Sequence, residues 1–120
     1  MTRLVALLVL LALAGCGATS ATYHTGLIRL RVGEYEITPE SIEVPAGTVR
    51  LRATDTGVLV HEIAIANSDG HILGQTGAIF PRQTVTTAPF SLAPGSYRVY
   101  DPGANYADLG AYGSLRAVSH

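Results

Sequence analysis

The 13 glycines and 6 prolines of this chain fall mostly between short runs. Inside each run apolar and polar side chains alternate. Ile28, Leu30 and Val32 alternate with Arg29 and Arg31. Val49, Leu51 and Ala53 alternate with Arg50 and Arg52, and Tyr97 and Val99 flank Arg98. A period of two puts successive side chains on opposite faces of an extended chain, so each run predicts a half-buried strand. Ile42 and Val44 flank Glu43 before the turn Pro45-Ala46-Gly47, and His61, Ile63 and Ile65 share a face before the turn Asn67-Ser68-Asp69-Gly70. Thr84 to Leu92 is a further run, with Pro89 marking an edge strand or a break, because proline cannot donate to a ladder. Ser114 to Val118 is the last run. The connection from Ile72 to Arg82 has room for a short helical turn. No stretch keeps an apolar period of 3.6 through three turns. The expectation is an all-β domain, a small sandwich or barrel of about seven short strands.

The first sixteen residues read differently. Arg3 opens them, Leu4 to Leu13 is apolar without a charge, and Leu13-Ala14-Gly15-Cys16 closes them. A basic start, a short apolar core and small residues at its end make a secretory signal. The run is shorter than the ~20 residues needed to span a bilayer. Leu-Ala-Gly-Cys resembles the lipobox of bacterial lipoproteins, which implies cleavage before Cys16 and acylation of that cysteine. The chain then divides into a signal (1–15), a lipidated cysteine with a small, polar, flexible tether (16–26) and one domain (27–120), held outside the cytoplasm on a membrane. Without the signal, seven arginines face nine acids and there is no lysine. Clustered basic charge, the mark of a nucleic-acid surface, is missing. Cys16 is the only cysteine, so the domain has no disulfide and no thiolate for a metal.

Four ordered pieces carry a second resemblance. Ile37-Thr38-Pro39-Glu40-Ser41-Ile42-Glu43-Val44-Pro45-Ala46-Gly47 leads to Thr54-Asp55-Thr56-Gly57, and His61-Glu62-Ile63-Ala64-Ile65 follows. Leu92-Ala93-Pro94-Gly95-Ser96-Tyr97 leads to a loop ending Gly110-Ala111-Tyr112-Gly113-Ser114-Leu115. This order resembles the cupredoxins, the blue-copper fold of plastocyanin-like proteins and of the oxidase copper subunit, across most of Gly33 to Val118. The resemblance implies a Greek-key β-sandwich with His61 as the first copper ligand. It also implies a cysteine, a histidine and a methionine in the loop after the Pro-Gly-x-Tyr strand. Here Asp101 stands at the cysteine position, Ala104 follows Pro102-Gly103, and Ala111 sits between Gly110 and Gly113. A blue-copper centre needs two imidazoles and a thiolate. The sequence therefore predicts no such centre.

The remaining candidates each carry two readings. His61 has inward parity and is either a residual metal ligand or a buried histidine held by a hydrogen bond. Asp101 shares the inward parity of Tyr97 and Val99, and is either hydrogen-bonded to His61 or the first residue of a turn with Pro102-Gly103. Glu62 and Asp108 are additional candidate ligands for copper or another divalent ion. Tyr100, Tyr106 and Tyr112 either form a docking surface or fill the volume the metal ligands would have taken. His24, His71 and His120 lack metal-ligand spacing. No nucleophile elbow and no phosphate-cradling glycine motif occurs, and adjacent Glu62 and His61 face opposite ways on a strand. The expected function is non-catalytic: binding of a partner protein or small ligand, or an accessory role in a larger redox complex, with metal holding as the alternative.

Overall fold

The computed structural model describes residues 19–119. The stretch read as a signal, 1–15, together with Cys16 and His120, lies outside the described residues. Eleven strands follow in chain order: β1 (Ser20–Thr22), β2 (Leu27–Val32), β3 (Ile37–Thr38), β4 (Ser41–Pro45), β5 (Gly47–Asp55), β6 (Ala64–Ala66), β7 (Ile72–Gln75), β8 (Thr84–Thr86), β9 (Phe90–Leu92), β10 (Gly95–Tyr100) and β11 (Tyr112–Val118). Ala107–Leu109 forms a single 3-10 turn. The domain is all-β. One sheet runs β1-β4-β11-β10-β6-β7, the other β3-β2-β5-β8, with β9 paired to the first half of β5.

The alternation in sequence becomes the burial of the sandwich. Ile28, Leu30 and Val32 of β2 and Val49, Leu51 and Ala53 of β5 face inward, and the arginines between them are exposed. Ile42, Val44, Val99 and Leu115 meet them from the other sheet. Strand parity thus places one apolar layer between two sheets, as expected for face-to-face packing.

Three expectations change. The stretch read as a tether, 16–26, is structured within the described residues. Ser20–Thr22 pairs in parallel with Ser41–Glu43, the Tyr23 amide bonds Glu43 O, and the Tyr23 ring packs on the core. Small polar composition hid an edge strand whose stabilisation is mainly backbone hydrogen bonding. The connection 72–82 holds no helical turn: β7 continues the sheet beside β6. And among the described residues the strands number eleven, where about seven were expected, since Pro89 splits one run into β8 and β9 while β1, β3 and β7 are too short or too polar to show an alternation.

Strand register gathers several ends at one pole. Tyr100 is paired with Ala64 and Tyr112, and Ser41 with Ser114 and Ser20. In the second sheet Val32 is paired with Asp55. The loop 56–60 then crosses between the sheets to His61.

Candidate functional site

His61 is fixed by a backbone bridge. Its N–H bonds Ile79 O at 3.0 Å and its carbonyl accepts from Ile79 N at 2.7 Å. The residue is 1% exposed. Its ring lies between two carboxylates: Nδ1 is 2.6 Å from Asp101 Oδ2, and Nε2 is 2.8 Å from Glu34 Oε1. A neutral imidazole carries one N–H, whereas an imidazolium carries two. Two carboxylate acceptors on the two ring nitrogens therefore favour the charged ring, which donates both bonds.

Burial of the ring is the largest single influence on its pKa and pushes it down. The hydrogen bonds to Glu34 and Asp101, with the charges of Asp101 and Asp55, together outweigh burial and leave the pKa raised. Glu34 moves oppositely. Its hydrogen bond from His61, then the bond from the Leu59 amide, hold it below the usual carboxylate value. The same Oε1 also accepts from Val58 N at 2.9 Å and Leu59 N at 3.1 Å. A Cβ on Gly57 would overlap this carboxylate, so the glycine permits the close approach.

Asp101 divides its oxygens. Oδ2 faces His61, while Oδ1 accepts the Gly103 amide at 2.8 Å. The turn and the pair, alternatives in the sequence, coexist in one carboxylate. The Asp101 amide bonds Ala111 O at 3.1 Å, and Ala111 is buried in the core. Asp55 is also fully buried. Its Oδ1 accepts from Gly57 N at 2.8 Å, and its Oδ2 has no protein partner among the described residues. Both ion pairs found among the described residues use His61.

Glu34 and Asp55 were not among the sequence candidates. Asp55 continues the inward parity of Val49, Leu51 and Ala53 and could have been found that way. Glu34 follows Gly33 in a loop after β2, and no local pattern marks it. The other candidates separate. Tyr106 meets the His61 ring edge-on with centroids 4.5 Å apart, filling space beside it. Tyr100 stacks under the Arg98 guanidinium at 4.6 Å, and Tyr112 is exposed. The grouping of His61 and Asp101 with Glu62 and Asp108 does not form. Asp108 is exposed on the 3-10 turn, neither residue bonds to the cluster, and no three His, Cys, Asp or Glu among the described residues are placed to hold a metal ion. His24 and His71 are exposed.

No protein-family model matches the sequence, and no curated protein does. Solved structures do. The reduced auracyanin of the photosynthetic bacterium Roseiflexus castenholzii superposes with a TM-score of 0.71 at 18% identity, over 80% of this chain and 99% of that one. Auracyanin B gives 0.66 at 17% identity, over 86% and 93%. Reduced rusticyanin gives 0.60 at 16% identity, over 86% and 87%. The fold is cupredoxin-like.

In this cupredoxin-like domain the residues present do not fit a blue-copper ion. Both His61 ring nitrogens are engaged by carboxylates on opposite edges of the ring, so the two acids cannot converge on one ion through it. Asp101 offers hard oxygen in place of sulfur, and Ala111 offers no donor. What the arrangement can do is hold a charged imidazolium under the surface and join three segments: the loop after β2, the loop before β6 and the end of β10.

Proposed function

We propose that this chain is an extracytoplasmic, lipid-anchored cupredoxin-like domain that serves as a non-redox binding or accessory module. The observation supporting this reading most is the engagement of both His61 nitrogens by Glu34 and Asp101. It converts the position of a first metal ligand into a structural tie. The lipobox-like segment ending at Cys16 supports the anchor, and it commits the sole cysteine to the lipid rather than to the domain. A thiolate is the donor that gives a blue-copper site its covalency.

Copper titration of the mature lipoprotein tests this. Under Cu(II) the protein should show no intense thiolate-to-copper absorption, and calorimetry should show no stoichiometric site that disappears in His61→Ala. An intense visible band would overturn the non-redox reading. Stoichiometric binding lost in His61→Ala, without that band, would establish a metal-holding domain instead.

A further inference from the structure

Among the described residues, eight large apolar side chains are exposed, and seven of them lie at the His61 pole. Val58, Leu59 and Val60 come from the loop that enters His61, with Val58 80% exposed. The Val58 and Leu59 amides hang on Glu34, next to exposed Tyr35. The Tyr35 carbonyl packs against Gly110, whose neighbour Leu109 and near neighbour Tyr112 are exposed in turn. Phe80 projects one residue beyond Ile79, the bridge partner of His61. The eighth, Ile72, is at the far end of β7, opposite Ala66. An exposed apolar concentration of this kind marks a surface that is covered in use.

Thr19 also lies at this pole. Thr19 O accepts the Ser41 amide, and Thr19 Oγ1 accepts the Glu40 amide. Glu40 lines a cleft with Tyr35, Gly110 and Tyr112. Only Gly17 and Ala18 separate Thr19 from Cys16, so the two Cα atoms can be at most about 11 Å apart. We infer that the His61 pole rests on the lipid bilayer, its apolar rim seated among the headgroups and first acyl carbons. This rests on the lipid-anchor reading of Cys16. Given that anchor, the nearest surface available to the rim is the membrane itself. Tyrosine beside aliphatic tips suits that boundary, where an apolar body and a polar end are both satisfied. Glu36, Glu40 and Asp108 are exposed around the rim, and Arg82 is the basic residue there. The contact is therefore apolar and does not depend on anionic lipid.

The chain has no tryptophan, so a single tryptophan reports position. Full-length lipoprotein carrying Val58→Trp or Ile72→Trp is purified, its N-terminal lipid mass is verified, and it is reconstituted in phosphatidylcholine vesicles containing brominated lipid. An apolar rim seated roughly 5–10 Å into the headgroup–acyl boundary should make Val58→Trp at least about twofold more quenched than Ile72→Trp. The quenching should survive high salt. An unmodified Cys16 would remove the anchor reading and this inference together. With the lipid mass confirmed, equal quenching at both sites would overturn the orientation alone. So would shielding of Val58→Trp without lipid quenching, whether it comes with a second copy on crosslinking or with a protein partner in native membranes.

Discussion

Two carboxylates sharing one imidazole tie the His61 site to pH. The raised His61 pKa means the folded state holds that proton more tightly than the unfolded chain, whose value is about 6.5. Its contribution is fully present below that value and is lost as pH rises through the folded pKa. Glu34 is lowered from 4.5, so its contribution is present above that value and is lost as pH falls through the folded pKa. Thermal stability of the domain should therefore be greatest between pH 4.5 and 6.5 and decline on both sides. Melting curves across pH check this, and a maximum above pH 8 would contradict it. The pair with Asp101 is the buried half of the arrangement. A hydrogen bond to a charged group contributes about 1.5–3 kcal/mol, and removing one partner strands the other. Asp101→Ala and His61→Ala should each destabilise by at least that much, and the double variant by clearly less than their sum. Denaturant unfolding of the four proteins gives the coupling, and additive effects would show that the residues act independently. Much at this scale was legible from parity, which turns His61 and Asp101 inward and would have turned Asp55 inward too. Glu34 was not legible, because it reaches the ring from a loop whose path is set by tertiary packing.

The elements that carry the site are loops pinned at strand ends. Gly57 lets the loop 56–60 close over the Glu34 carboxylate. Gly57→Ala should push Glu34 off Nε2 and lower the His61 pKa, which histidine ring NMR through a titration reads directly. Glu34→Ala should lower it in the same direction, and the two changes together should do little more than either alone. Full additivity would mean that the glycine acts elsewhere. β1 makes a separate test. The Tyr23 amide, bonded to Glu43 O at 2.9 Å, should exchange slowly with deuterium, as a sheet amide does, whereas a tether amide would exchange at the free-chain rate. Strong alternation made β2, β5 and β10 readable. β1, β3 and β7 lacked it, since edge strands of two to four residues with polar or glycine-rich composition owe their place to a neighbouring ladder, and composition alone resembles a linker.

At the scale of the whole molecule, turn-punctuated alternation was enough for an all-β sandwich, and the four ordered pieces were enough for its cupredoxin-like arrangement. The ligand or partner of the proposed binding role was not legible, because surface complementarity leaves no periodic trace in a single chain. The anchor is tested by Cys16→Ser, which should abolish the N-terminal lipid mass and leave the protein uncleaved or released. A membrane-bound, mass-unchanged variant would contradict it. The claim that joins every scale is that two carboxylates, rather than a metal, hold the His61 ring. Nitrogen-15 NMR of that ring, below pH 6.5 and with one equivalent of diamagnetic Zn(II) added, tests it most directly. Two protonated, slowly exchanging ring nitrogens are expected, with shifts that do not move with the metal. A neutral ring, or one whose shifts follow zinc, would contradict it.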